Sequence, residues 1–268
     1  MIDNDLAQAG AALAAGLGVV VAFMAVCLAW SVRSQKLTVV DTAWGLGFVL
    51  VALASAVVAT GGDGDPVLRW VLVGMTAVWG VRLATYLHLR NRGKEEDPRY
   101  AALAEADGRS FARVAVTRVF LPQGLAMFLV STPLMVGAQN EDISPPLLVV
   151  GLVVWAVGVF FESVGDAQLA RFKADPANRG RLMDQGLWRY TRHPNYFGDA
   201  CVWTGTWIVV AGSLPGLVTV ISPIAMTFFL TKVTGASLNE KGMKQSKPGY
   251  DDYVRRTSGF IPLPPRKG

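Results

Sequence analysis

The sequence is poor in the residues that build metal centres and disulfide frameworks. Its 268 residues include 2 Cys and 2 His. Cys27 and Cys201 lie in apolar runs, where they read as small buried hydrophobes, and no spacing suits a metal, so none is expected. Glycine-rich phosphate loops are missing too. No GxGxxG follows a strand pattern and no P-loop occurs, which excludes the soluble nucleotide-binding folds. Charge is scarce, at 17% Asp, Glu, Lys and Arg. Asp3 and Asp5 stand where a signal peptide would carry bases, so no cleavable leader is expected. A nucleic-acid partner is not expected either.

What the chain has instead is apolar length. It is 52% hydrophobic, with mean hydropathy +0.37. Seven runs are long enough to be read as membrane spans, roughly 10–32, 37–60, 67–90, 114–138, 146–170, 196–212 and 215–235. The expectation is an all-α polytopic integral membrane protein forming a single membrane domain over 1–268. Within it, 1–113 would be the substrate side and 114–268 the cofactor side. Pro122-Gln123-Gly124 predicts a kink or local unwinding, the stretch Tyr100–Ala106 a short amphipathic helix, and Gly45 with Gly47 close helix packing.

Loop charge sets an expected orientation. Asp3, Asp5, Asp63, Asp65, Glu141 and Asp142 fall on one side, with Arg69 as the nearby base. Arg33, Lys36, the 90–118 and 171–192 loops and the tail fall on the other. The positive-inside rule makes the second side cytoplasmic, with the N-terminus out and the C-terminus in, and the setting expected is a bacterial inner (plasma) membrane.

The unusual polar groups gather toward that side: Asp41, Arg82, Tyr86, Gln123, Glu162, Asp166, Arg171, Arg181, Arg192, His193, Asn195, Asp199 and Glu240. Ionisable groups in spans are costly and mark functional sites. Plainer readings exist, such as a snorkelling Arg82, a helix-capping Asp41 or a boundary His193. The densest stretch runs from Asp184 to Asp199. The bases around it, Arg171, Lys173, Arg179, Arg181, Arg189 and Arg192, suit either anionic lipid or the phosphates of a bound nucleotide. The acids and Asn195 interleaved with them favour the nucleotide.

Gly186-Leu-Trp-Arg-Tyr-Thr-Arg-His-Pro-Asn-Tyr-Phe-Gly-Asp199, with Phe260-Ile-Pro262, resembles the steroid 5α-reductase superfamily. With Val40-Asp-Thr-Ala-Trp-Gly45 it is similar to the bacterial membrane-protein branch of that superfamily, over about residues 37 to 265. Sterol reductases and the isoprenylcysteine and phospholipid methyltransferases share close variants of Arg-His-Pro-Asn-Tyr. The resemblance implies an NADPH-dependent reductase that passes hydride to a carbon–carbon double bond of a lipid or steroid-like enone drawn from the bilayer. It implies cofactor contacts at Glu162, Asp166, Arg171, Lys173, Arg181, Tyr190, Arg192, His193, Asn195, Asp199 and Glu240. Trp79 stands where the family has its catalytic Tyr, so the expected catalytic group is Tyr86 bonded to Asp41 and supported by Arg82. Two alternatives stay open: an S-adenosylmethionine-dependent lipid or isoprenylcysteine-type methyltransferase, and a non-catalytic lipid-binding relative.

Overall fold

A computed structural model describes residues 2–97, 100, 110–233, 240, 242–244 and 246–266, with the side chains of 2–7 and 233 outside the description. All its regular elements are helical. The Ala/Gly/Val-rich run gives α1 (Ile2–Ser34), followed by α2 (Val39–Ala59) and α3 (Pro66–Asn91). Asp65 caps α3, its Oδ1 accepting from Val67 N at 2.7 Å and Leu68 N at 3.0 Å, and Pro66 opens the helix where no N–H is needed.

The next span is interrupted. It comprises α4 (Phe111–Val114), a π-helical stretch Ala115–Phe120, α5 (Leu121–Val130) and α6 (Thr132–Gly137). The kink or local unwinding expected at Pro122-Gln123-Gly124 corresponds to a π-helical stretch that ends at Phe120, two residues before the proline. Pro122 follows in the same continuous helical run, where it lacks the N–H that would bond a carbonyl of the preceding turn. A second irregularity lies at Ser131, ahead of Pro133. The chain continues as α7 (Pro145–Ala174), α8 (Pro194–Val210), α9 (Leu214–Val218), α10 (Ile221–Phe228) with a π-helical end at Phe229–Val233, and α11 (Tyr250–Arg256). The amphipathic helix expected from Tyr100 to Ala106 lies outside the described residues, Tyr100 excepted.

Six helical runs are long and apolar enough to cross a membrane: Gln8–Ser34, Val39–Ala59, Pro66–Asn91, Phe111–Gly137, Pro145–Ala174 and Leu214–Lys232. The protein is thus an all-α integral membrane protein, and its exposed Val21, Leu50, Val78 and Val153 are what a lipid-facing surface requires. The count is one lower than the seven expected. The seventh run, read at 196–212, forms α8, whose 17 residues lie at the short end of what can cross a bilayer.

The chain divides into two compact units, Met1–Leu147 with Val210–Ser222, and Leu148–Val209 with Pro223–Gly268. In the first unit α2 packs against both α1 and α3. Gly45 and Gly80 meet so closely that a methyl group on either would strike the other's carbonyl, as expected for Gly45. Arg69 is buried and closes the turn after α2, its Nη2 donating to Ala59 O at 2.7 Å and Gly64 O at 2.8 Å. Asn140 Nδ2 donates to Val210 O at 3.0 Å while its Oδ1 accepts from Ser213 Oγ at 2.8 Å.

In the second unit one seam dominates. Gly151, Gly158 and Gly165 recur every seven residues on α7, which is two helical turns, and Gly198 and Gly205 do the same on α8. The helices run antiparallel along these residues. A methyl on Gly151 would lie 2.7 Å from Gly205 O, one on Gly158 2.5 Å from Gly198 O, and one on Gly165 3.1 Å from the Pro194 ring. Backbone therefore meets backbone, the means by which helices associate where no hydrophobic effect drives them together. Gly158→Val should lower stability by about 2–4 kcal/mol through overpacking. Gly74→Ala, at a glycine with open space around it, should shift it by less than about 1 kcal/mol. Thermal melting of the purified protein in detergent separates the two, and equal melting points would contradict the seam.

Candidate functional site

Helical spacing aligns the acids of the second unit. Glu162 and Asp166 are four apart on α7, and Asn195 and Asp199 four apart on α8, so each pair shares a face. The seam brings the faces together. A methyl on Gly198 would lie 2.6 Å from Glu162 N, and one on Gly165 3.5 Å from Asn195 N. Glu162, Asp166 and Asp199 are 3%, 5% and 9% exposed. Each carboxylate engages neighbouring groups, as a buried charge must. Asn195 Oδ1 is buried without a hydrogen-bond partner among the described residues.

The stretch after α7 is folded back over this seam. Gly186 takes φ +58°, a turn conformation that favours glycine, and is packed against Gln168. Leu187 N donates to Gln168 Oε1 at 2.9 Å, and Trp188 Nε1 to Gly165 O at 3.0 Å. The C-terminal segment clasps the same stretch from the other direction. Tyr253 Oη donates to Trp188 O at 2.5 Å, Thr191 Oγ1 to Phe260 O at 2.8 Å, and Arg192 N to Ser258 O at 2.9 Å. Arg256 Nη2 pairs with Asp184 Oδ2 at 2.6 Å.

Arg192 and His193 converge on one acid 48 and 47 residues away. Glu240 Oε1 accepts from Arg192 Nε at 2.9 Å and lies 3.0 Å from His193 Nε2. His193 is 3% exposed, and the Tyr196 ring stacks on it at 5.3 Å and 11°. The His193 hydrogen bond, then the bond and charge of Arg192, outweigh burial and bring the Glu240 carboxyl down to about 2. Burial, then the Glu240 charge, pushes the Tyr250 hydroxyl up to about 12, and burial raises Tyr253 further.

Of the residues expected to hold a cofactor, Glu162, Asp166, His193, Asn195 and Asp199 line the seam or its end, and Arg192 and Glu240 form the adjoining charge cluster. Arg171, Lys173, Arg181 and Tyr190 are exposed. Among the described residues of the second unit no Lys or Arg is buried. Sequence reading missed Gln168, Tyr250 and Tyr253, which have no local motif, and gave no role to Trp188 within the 186–199 motif. The recurrence of glycine every seven residues was a visible signal for the seam.

Asp41, Arg82 and Tyr86 belong to the first unit. There the hydroxyl of Tyr100, also missed, donates to Asp41 Oδ1 at 2.7 Å and accepts from Gln123 Nε2 at 3.3 Å. Arg90 lies over the Tyr86 ring at 5.9 Å. Glu96 clips the same loop to the start of α2 by accepting from Leu37 N, Thr38 N and Thr38 Oγ1.

Fold and site together define a polytopic membrane protein whose second unit buries three carboxylates at a helix seam. The chain belongs to the family described as "Protein of unknown function (DUF1295)", which it matches over residues 27–257. It is similar to the "Probable O-methyltransferase ustE" of Ustilaginoidea virens, 31% identical over 125 residues, or 47% of this chain and 39% of that relative. The chain thus spans about two fifths of that relative's length. No solved structure matches it.

The lowered Glu240 carboxyl ties stability to pH. A depressed acid stabilises the fold above its ordinary value of 4.5, and that contribution is lost as pH falls through about 2. Glu240→Gln should cost about 1–3 kcal/mol near pH 6, and its deficit against wild type should close as pH drops below 4.5 toward 2. Melting curves of both proteins over that range check this. A deficit that does not change with pH would contradict the ion cluster.

Proposed function

We propose that the protein is a membrane-embedded S-adenosylmethionine-dependent methyltransferase acting on an oxygen of an apolar, bilayer-borne acceptor. One observation carries the reading: the charge sorting of the second unit. The buried groups at the α7–α8 seam are acids, and the bases face out. Acidic surroundings of low dielectric count against a polyanionic ligand and suit one bearing cations. One ion pair at 4 Å is worth about 4 kcal/mol at an effective dielectric of 20, and the same arithmetic counts against a ligand rich in phosphate. S-adenosylmethionine carries a sulfonium, an ammonium, ribose hydroxyls and one carboxylate. The similarity to a probable O-methyltransferase supports the same choice.

The residues present fit that group. Glu162, Asp166 and Asp199 would hold its positive charge and its hydroxyls. Asn195 Oδ1, a buried acceptor without a partner among the described residues, would take an N–H or O–H. Arg192, held by Glu240, stays beside the seam without bringing unbalanced charge into it. When bound, the donor would supply an electrophilic methyl to the acceptor oxygen, its C–S electron pair returning to sulfur as the C–O bond forms and the acceptor's proton passing to water.

The reductase reading is the rival, and its support is the group Arg171, Lys173 and Arg181 that could meet phosphates. Titrating the purified protein with each cofactor separates the two, because only a true ligand raises the melting point by mass action, by about 2.7 kcal/mol at a hundredfold excess over Kd. S-adenosylmethionine should stabilise the protein and NADPH should not. Asp199→Asn should weaken the donor about tenfold with the unliganded melting point little changed. Stabilisation by NADPH alone would favour the reductase, and stabilisation by neither the non-catalytic relative.

A further inference from the structure

We propose that the exposed bases between α7 and α8 form a docking surface for the anionic headgroups of the surrounding bilayer. Their position along α7 carries the argument. The helix has 30 residues, about 45 Å at 1.5 Å per residue, against about 30 Å of hydrocarbon. A hydrocarbon core filled by its first twenty residues or so ends near Val164, which leaves Arg171 and Lys173 about 10 Å beyond, at headgroup depth. The segment that follows is held at the same level. Asn178 Nδ2 donates to Phe172 O at 3.2 Å, and Arg181 N to Asn178 O at 3.0 Å, so Arg179 and Arg181 turn back onto the end of α7. The bonds of Leu187 and Trp188 to Gln168 and Gly165 fix Arg189 beside the preceding turns.

Charge balance within 171–192 is one-sided once internal pairs are set aside. Arg192 is bound to Glu240, and Asp184 to Arg256. Leaving Lys173 out of the balance as well, Arg171, Arg179, Arg181 and Arg189 are exposed against one exposed acid, Asp175. A second observation marks the depth independently. Exposed Tyr190 accepts from Leu263 N through its carbonyl at 3.1 Å, and Ile261 and Leu263 beside it are exposed as well. An aromatic with two aliphatic side chains, rimmed by bases, is the composition of a membrane interface. A soluble phosphate ligand would find no use for those aliphatic groups.

The test reconstitutes the full chain in phosphatidylcholine bilayers and measures, by electron spin resonance, how strongly spin-labelled phosphatidylglycerol is preferred over spin-labelled phosphatidylcholine at the protein surface. The expected preference is about twofold or more in about 0.05 M salt, lost near 0.5 M where the screening length is a few ångströms. Replacing Arg179, Arg181 and Arg189 together by Gln should bring it toward one, and replacing all three by Lys should retain it, since the interaction needs charge and not a fork. A preference unaffected by salt in the wild type, an experiment that needs no variant, would overturn the proposal. So would Gln replacements that leave lipid preference intact while abolishing NADPH binding, which would reassign the bases to a soluble phosphate ligand.

Discussion

The approach of two glycine-lined helices sets the rest of the second unit. In a bilayer, lipid tails are as apolar as leucine, so helices join through close packing instead of expulsion of water. Residues 151, 158 and 165 on α7 and 198 and 205 on α8 carry no side chain, and the two backbones touch along the line they define. The carboxylates of Glu162, Asp166 and Asp199 near that line are buried as a consequence. Glu162, Asp166, Asn195 and Asp199 sit one residue, or one helical turn, from a seam glycine, so the packing that joins the helices also removes the acids from water.

Such burial is costly unless the surroundings hold the charges in place. The protein supplies this from a distance. The last sixteen or so described residues bind Trp188, Thr191 and Arg192 through main-chain carbonyls and amides, and Glu240 ties Arg192 and His193 to a segment nearly fifty residues downstream. The result is a division of charge: acids at the seam, an internally neutralised cluster at its edge, and bases on the outside. That division argues for a cationic ligand at the seam and an anionic surface around it.

Much of this was legible in the sequence. Apolar run length gave the helices within a few residues, and the polar density of 184–199 pointed to the place where chain segments converge. Asp166, Asn195 and Asp199 were singled out and do share the seam. Burial was not legible. Nothing in the sequence says that Arg171 and Arg181 are exposed while Asp166 and Asp199 are buried. Pairings across long separations, such as Tyr253 with Trp188 or Glu240 with His193, have no local signal. The span read at 196–212 is a helix, shortened to 17 residues because Pro194 starts α8 and the turn at Ala211-Gly212 ends it. Tyr100 escaped notice because nothing near it in sequence hints at Asp41, which lies 59 residues away.

The most direct test of the acidic seam is charge selectivity among ligands of one shape. Calorimetric titration can compare sinefungin, whose amine is a cation at the position of the methyl-bearing sulfur, with S-adenosylhomocysteine, which is neutral there. An acidic seam predicts that the cation binds more tightly, by about tenfold or more, with the gap shrinking when Asp199 is replaced by Asn. Tighter binding of the neutral thioether, or a preference indifferent to Asp199, would contradict the account.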